Sequence, residues 1–179
     1  AYGGLNFIKF EKNKVSVNPI KLKKSSEKEL ENNLLLFFVG KTRNSANILS
    51  EQINRIKQNN NNTVDSLLYV KNLTLEMHDS LKKSDLTNFG NLLHQGWMAK
   101  RKFSSGITNN AIDKIYSKAL DSGAVGGKLT GAGGGGHMLF YCESKKQKSL
   151  IKEMTRLGLS QVKFNFYYDT PKITDTSNM

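Results

Sequence analysis

The segment Gly123–Gly136, GAVGGKLTGAGGGG, gathers eight of the 15 glycines in a chain of 179 residues. Five of them, Gly131 and Gly133 to Gly136, fall in six consecutive positions between Lys128 and the apolar run that starts after His137. Without Cβ atoms, successive peptide units can turn their N–H groups into one concavity, and glycine supplies the positive φ that such a nest requires. The ligand that suits it is an anion, above all a phosphate or a phosphoryl group in transfer. A nucleotide-binding GxxxxGK[ST] loop has its lysine after the glycines and a helix behind it, and dinucleotide fingerprints also lead into a helix. Here Lys128 precedes the glycines and a strand follows. The structural alternative is a surface loop or a tight packing point, and crowding at the mouth of a hydrophobic strand argues against it.

Other chemistry-bearing residues are sparse. His78 and His94 are not at metal-ligand spacing, no zinc cluster emerges, and no metal site is expected. His137, in a strand, reads as a satisfied side chain. The single cysteine, Cys142, excludes an intramolecular disulfide and an all-cysteine metal site, which fits a reducing, cytoplasmic setting.

The formal charge of +12 raises nucleic acid as a partner, yet its distribution makes that partner unlikely. Lysines are scattered from Lys9 to Lys28, at Lys82-Lys83, from Lys100 to Lys102 and from Lys145 to Lys152. Only four residues are arginine, the side chain best suited to bidentate phosphate and base contacts. The longest apolar run, Leu34–Val39, falls far short of the roughly 20 residues of a membrane helix, so no membrane association is expected. The opening AYGGLNFIKF has neither an initiator Met nor a signal peptide, and it reads as a chain cut from something longer.

The elements that must position the glycines follow from periodicity. Leu5–Phe10 and Val15–Val17 read as a hairpin ending near Pro19. The stretch 21–33 reads as polar and exposed. Leu34–Val39 reads as a central strand buried on both faces. From Asn44, Ile48, Leu49, Ile53 and Ile56 recur at helical spacing. A long helix then carries the stripe Leu67, Val70, Thr74, Met77 and Leu81, widened by Val64, Leu68 and Leu75. Asp85 caps a shorter helix with Leu86, Phe89, Leu92 and Leu93. After Asn109 and Asn110 comes a helix with Ile112, Ile115, Tyr116, Ala119 and Leu120, which breaks at Ser122-Gly123. His137–Cys142 is a strand, Ser144 opens a helix closing at Gly158, and Val162, Phe164 and Phe166 alternate as a last strand. The fold class is α+β in two layers.

KLTGAGGGGHMLFYC (Lys128–Cys142) resembles the third conserved motif of the GHMP kinases, the superfamily of galactokinase, homoserine kinase, mevalonate kinase and phosphomevalonate kinase. LLLFFVGKTRNSANILSEQ (Leu34–Gln52) and Phe89–Gly136 are similar to one branch, the bacterial kinases of D-glycero-D-manno-heptose 7-phosphate. AYGGLNFIKF resembles the segment just beyond that branch's central motif. His137 departs from the pattern, since many relatives have an apolar residue there.

The resemblance implies a C-terminal domain with a ferredoxin-like core and added helices over residues 1–171. About the first 20 residues would be the end of a preceding domain, and 172–179 a frayed tail. It also implies an absent N-terminal ATP-binding domain as partner, with a PxxxGLGSSAA-like phosphate loop. The catalytic Asp, in a DQY-like segment, would lie upstream of Ala1, so no catalytic residue is assigned here and the fragment alone is expected to be inactive. The implied reaction moves the γ-phosphoryl of ATP, with Mg²⁺, to the anomeric hydroxyl of a sugar 7-phosphate in heptose metabolism for lipopolysaccharide or capsule. Thr130, Gly131, Ala132, Gly133, Gly134 and Gly135 would line the transferring group. The substrate's own phosphate implies cations: Arg43 at the start of a helix, Lys100 and Arg101 beside Trp97, and Lys128. Trp97 would pack against the sugar or fill the core, and Asp113 reads as structural. Other GHMP kinases (fucose-, galactose- or mevalonate-type) and a non-catalytic phosphate- or nucleic-acid-binding module remain the alternatives.

Overall fold

A computed structural model describes residues 2–40 and 45–169. Strands β1 (Asn6–Glu11) and β2 (Lys14–Pro19) form the expected antiparallel hairpin, with Ile8 opposite Val17 and Phe10 opposite Val15. The polar stretch that follows is not an exposed connection. It folds as α1 (Lys24–Asn33), burying Ser26, Leu30 and Asn33. Its few apolar residues conceal it in the sequence, and tertiary contacts stabilise it: the Asn33 side-chain amide donates to Tyr141 Oη at 3.1 Å and Asn33 Oδ1 accepts from Ser144 Oγ at 3.2 Å.

Strand β3 (Leu34–Gly40) is central, as expected, with Leu34, Leu35 and Phe37 buried. It is not buried on both faces throughout, because Phe38 is 42% exposed. Helix α2 (Ser45–Lys57) buries Ile48, whereas Leu49, Ile53 and Ile56 are exposed, so its periodicity marks a helix without marking a core face. Helix α3 (Asn61–Lys82) starts where Asn60 Oδ1 accepts from the Thr63 N–H at 3.2 Å. Leu73 and Leu81 are its buried apolar residues, while Leu68 and Leu75 are exposed. Helix α4 (Leu86–Lys100), capped by Asp85, runs through Gly96 and Trp97 and is longer than expected.

Helix α5 (Asn110–Asp121) begins at Asn109, whose side chain accepts from the Ala111 and Ile112 amides, each at 3.0 Å. Four residues after Ser122 the chain enters a strand that periodicity does not reveal, β4 (Gly126–Leu129), and then β5 (Gly136–Tyr141), α6 (Ser144–Arg156) and the short β6 (Ser160–Val162). The last strand is shorter than its alternation suggests. Phe164 and Phe166 lie beyond the ladder and pack against a core cluster.

The four strands lie in the order β4-β5-β3-β6, with every neighbouring pair antiparallel. Adjacent residues point to opposite faces. Leu35, Phe37, Leu129, Met138 and Phe140 join Ile112, Tyr116, Leu150 and Met154 of α5 and α6, while Leu34 and Tyr141 join Leu30, Leu81, Leu86 and Leu93. Helix α4 contributes to both clusters, Trp97 to the first and Leu93 to the second. It lies against β4 with almost no side-chain spacing: a Cβ on Gly126 would stand 2.1 Å from the Gly90 carbonyl oxygen. Two of the glycines therefore bring α4 onto the sheet edge, and Lys100 at its C-terminal end comes over the β4–β5 connection. Among the described residues no helix is long and apolar enough to cross a membrane.

Candidate functional site

The connection from β4 to β5 is the glycine-rich segment itself. Thr130 closes its base, donating to the His137 carbonyl from its amide at 2.8 Å and from Oγ1 at 3.1 Å. Between these anchors Gly131, Gly133, Gly134, Gly135 and Gly136 take φ of 71°, 124°, 78°, 154° and 93°. At Gly133 two constraints coincide, since a Cβ there would also stand 2.8 Å from Ile107 Cα. Gly133 to Gly136 are buried, Gly131 is exposed, and Thr130 and Ala132 are half-buried. The Gly134 amide donates to the Ile107 carbonyl at 2.9 Å. The amides of Gly131, Ala132, Gly133 and Gly135 have no acceptor among the described residues. The segment is thus a turn of positive-φ glycines, anchored at Thr130 and Gly134, with amide donors to spare for an anion.

A second connection, between α4 and α5, braces it. Ile107 is fully buried and its backbone is what Gly133 and Gly134 lie against. On one side of Ile107, the Ser105 amide and hydroxyl each donate to Glu51 Oε1 at 3.1 Å. The amide bond from Ser105 is the main reason that the Glu51 carboxyl lies below its ordinary range. On the other side, Thr108 Oγ1 donates to Asp113 Oδ1 at 2.5 Å, and Arg101 pairs with Asp113 Oδ2 at 2.8 Å. The structure therefore pairs Arg101, expected as a substrate cation, with Asp113, which reads in the sequence as a structural residue at the start of α5. Sequence alone gives no sign of the Ile107 brace, because its partners are 26 or more residues away.

Lys100 and Lys128 are brought together. Lys100 Nζ donates to the Gly131 carbonyl at 2.5 Å. Burial, and then the neighbouring Lys128 charge, push the Lys100 ammonium down to about 8. Burial lowers Lys128 as well. Neither forms an ion pair with a carboxylate among the described residues. Two half-buried ammonium groups without a counter-charge are costly, and an anion between them would relieve that cost. Arg43, the remaining candidate cation, lies outside the described residues.

Other titratable groups are accounted for by packing. Tyr116 Oη sits 2.8 Å from His94 Nδ1 and donates to the Gly127 carbonyl at 3.4 Å, and burial raises its hydroxyl. His137 lies against Phe38 with ring centroids 5.3 Å apart. Burial pushes the Cys142 thiol up to about 11, leaving it protonated and unreactive at neutral pH. Among the described residues no group of three or more His, Cys, Asp or Glu could hold a metal ion.

Residues 77–158 match the family model described as GHMP kinases C terminal. Over 156 residues the chain is 32% identical to the D-glycero-alpha-D-manno-heptose 7-phosphate kinase of Campylobacter jejuni, covering 87% of this chain and 45% of that protein. Its fold is similar to that of L. major mevalonate kinase in complex with R-mevalonate, with a TM-score of 0.73 at 19% identity over 87% of this chain and 45% of the other. It is likewise similar to a D-glycero-D-manno-heptose 1-phosphate kinase from Bacteroides thetaiotaomicron, with a TM-score of 0.68 at 24% identity over 98% and 47%. The chain thus spans a little under half the length of the relatives it matches. The βαββαβ-type sheet order, the glycine turn between β4 and β5 and these matches agree, and the chain belongs to the C-terminal domain family of the GHMP kinases.

Proposed function

We propose that the chain is the C-terminal part of an ATP-dependent sugar-phosphate kinase whose acceptor is the anomeric hydroxyl of D-glycero-D-manno-heptose 7-phosphate. The observation that carries this reading is the rigid glycine turn held to Lys100 through the Gly131 carbonyl, with Lys128 alongside. A single site then offers backbone donors for a phosphoryl group in transfer and ammonium groups for a phosphate that does not react. The 32% identity to a heptose 7-phosphate kinase supports that acceptor over fucose, galactose or mevalonate.

In this reading Thr130 to Gly135 line the transferring group. The sugar oxygen bonds to the γ-phosphorus, the bond from that phosphorus to the bridging oxygen of ADP breaks, and the hydroxyl proton passes to a base outside this chain. A preformed turn costs no reorganisation as charge moves onto the phosphoryl oxygens. Lys100 and Lys128 are the cations for the substrate's own phosphate; Arg43 joins them as a candidate, and Arg101 acts through Asp113 and the loop. Mg²⁺ arriving with ATP would supply charge neutralisation for the phosphates, and among the described residues no group of three or more His, Cys, Asp or Glu would hold it. An N-terminal ATP-binding domain of the same polypeptide would supply the main nucleotide contacts.

Two tests apply. The coding sequence upstream of Ala1 is expected to encode, in frame, a GLGSSAA-like loop and a DQY-like segment; a start codon at that position with neither would sink the kinase reading. The full-length protein, assayed with ATP against heptose 7-phosphate, fucose, galactose and mevalonate, is expected to turn over the heptose phosphate best. Preference for another acceptor would move the substrate assignment and leave the kinase class standing.

A further inference from the structure

The connection 101–109 between α4 and α5 has little bonding of its own at the point where it backs the glycine turn. The Ile107 amide donates to the Ser104 carbonyl at 3.5 Å, which is long for such a bond. Ser104 Oγ is buried and has no hydrogen-bond partner among the described residues. Yet Ile107 is fully buried, its carbonyl accepts from the Gly134 amide at 2.9 Å, and its Cα leaves no room for a side chain at Gly133. A turn closed so weakly does not hold Ile107 in place by itself. Its position comes from its neighbours.

Helix α2 supplies them from one face. Ile48 and Glu51 stand three residues apart, so they project on the same side of the helix. They meet two adjacent residues of the connection. A Cβ on Gly106 would stand 3.1 Å from Ile48 Cγ1, and Ile48 is the side chain that α2 buries. Ser105 gives its amide to Glu51 Oε1 at 3.1 Å, and its hydroxyl lies 3.1 Å from Oε1 and 3.2 Å from Oε2. Arg55 pairs with the same Oε1 at 2.7 Å, so the carboxylate charge is balanced from within α2. On the far side of Ile107, Thr108 donates to Asp113 of α5. Carboxylates from two different helices therefore clamp the short stretch that carries Ile107.

We propose that Glu51 is a positioning residue for phosphoryl transfer: from α2 it holds Ser105, and through Ile107 it sets the place of the Gly133 and Gly134 backbone in the glycine turn. The inference rests on the kinase reading for the reaction, whereas the chain of contacts does not. Glu51 touches no reacting atom. A turn that shifts by a fraction of an ångström aims its donors away from the group in transfer, so the loss falls on kcat. The acceptor's own contacts stay in place, so KM does not follow.

The test uses the full-length protein with ATP, Mg²⁺ and whichever of heptose 7-phosphate, fucose, galactose and mevalonate it turns over best. It reads kcat and KM, and separately the hydrogen exchange of the Gly134 amide by NMR. In E51A, kcat is expected to fall about 10- to 100-fold with KM for the acceptor within about twofold of wild type. The Gly134 amide is expected to exchange at least about tenfold faster. E51Q keeps an oxygen that accepts the Ser105 amide, and should recover most of both losses. R55M removes the ion pair and keeps the bonds to Ser105, so it should change neither quantity. Circular dichroism checks that each variant folds. S105A, which deletes only the hydroxyl, serves should E51A fail to fold, with changes of about two- to fivefold in the same direction.

Wild-type kcat or wild-type Gly134 exchange in folded E51A overturns the proposal. So does a raised KM at constant kcat, or an R55M variant as impaired as E51A. Turnover by the unmodified protein, together with an unchanged E51A, leaves the kinase reading and removes the role of Glu51. No turnover of any acceptor by the unmodified protein removes the kinase reading, and the exchange comparison then decides the brace. Faster Gly134 exchange in E51A upholds it, and unchanged exchange removes it.

Discussion

Lys100 Nζ lies 2.5 Å from the carbonyl oxygen of Gly131, tying the last turn of α4 to the exposed lip of the glycine turn. The bond joins a helix that sequence periodicity reveals only in part to a loop whose composition announces it. It also fixes a charge: the ammonium is half-buried beside Lys128 and is pushed down to about 8 from its ordinary 10.5.

That shift has a definite sign. Between about pH 8 and 10.5 the unfolded chain binds a proton that the folded Lys100 does not, so the protonated form penalises the fold below that window. Stability of the unmodified protein relative to K100M should therefore rise as pH increases through about 8 to 10.5. Thermal melts of both proteins at half-unit pH steps check this; a difference that stays flat across the window would refute it. Using the difference removes the opposing effect of Cys142, whose thiol is raised to about 11 and favours the unfolded chain as pH climbs.

The two ends of the glycine turn should respond differently to a methyl group. Gly131 has φ of 71° with open space around it, so G131A should cost about 1–2 kcal/mol of stability. Gly133 combines φ of 124° with Ile107 Cα 2.8 Å from the added carbon, so G133A should cost at least about 3 kcal/mol. Urea denaturation of both variants measures the contrast. Equal losses would show that Ile107 does not brace the turn.

Removing the Arg101 side chain should act at a distance. R101M breaks the pair with Asp113, which also accepts from Thr108 beside Ile107. Stability should fall by only about 1 kcal/mol, since both side chains are partly exposed. In the full-length enzyme kcat should fall about 10- to 100-fold, with KM for the sugar little changed, because the turn loses its backing rather than a ligand contact. A rise in KM at constant kcat would instead make Arg101 a direct substrate contact.

How much of this was legible in the sequence differs from residue to residue. Asp85 and Asn109 announce helix starts because a side-chain oxygen must accept an otherwise unpaired amide, and each does so; Asn60 caps α3 in the same way. Leu34–Val39 announces a central strand by its apolar run alone. Helix α1 was hidden because its stability comes from Leu30 and the buried Asn33–Tyr141 contact, which local propensity does not register. Strand β4 was hidden because Gly126 and Gly127 are poor strand formers; Gly126 lets α4 approach, and Gly127 lies tight against Leu139 and Phe140 of β5. Leu49, Leu68 and Leu75 keep helical period yet stay exposed, since periodicity marks a face without saying what covers it. The glycine turn was legible from composition as a run of positive-φ backbone. Its neighbours were less so: Lys100 and Lys128 lie 28 residues apart, and their meeting depends on α4 lying flat on β4.

The most direct test of the sugar-phosphate kinase reading is ³¹P NMR of the full-length protein incubated with ATP, Mg²⁺ and D-glycero-D-manno-heptose 7-phosphate. The account predicts a new phosphate ester at the anomeric carbon, formed as ADP appears, with the original 7-phosphate signal retained. ATP left intact with the heptose phosphate, while a free sugar or mevalonate is phosphorylated instead, would contradict it.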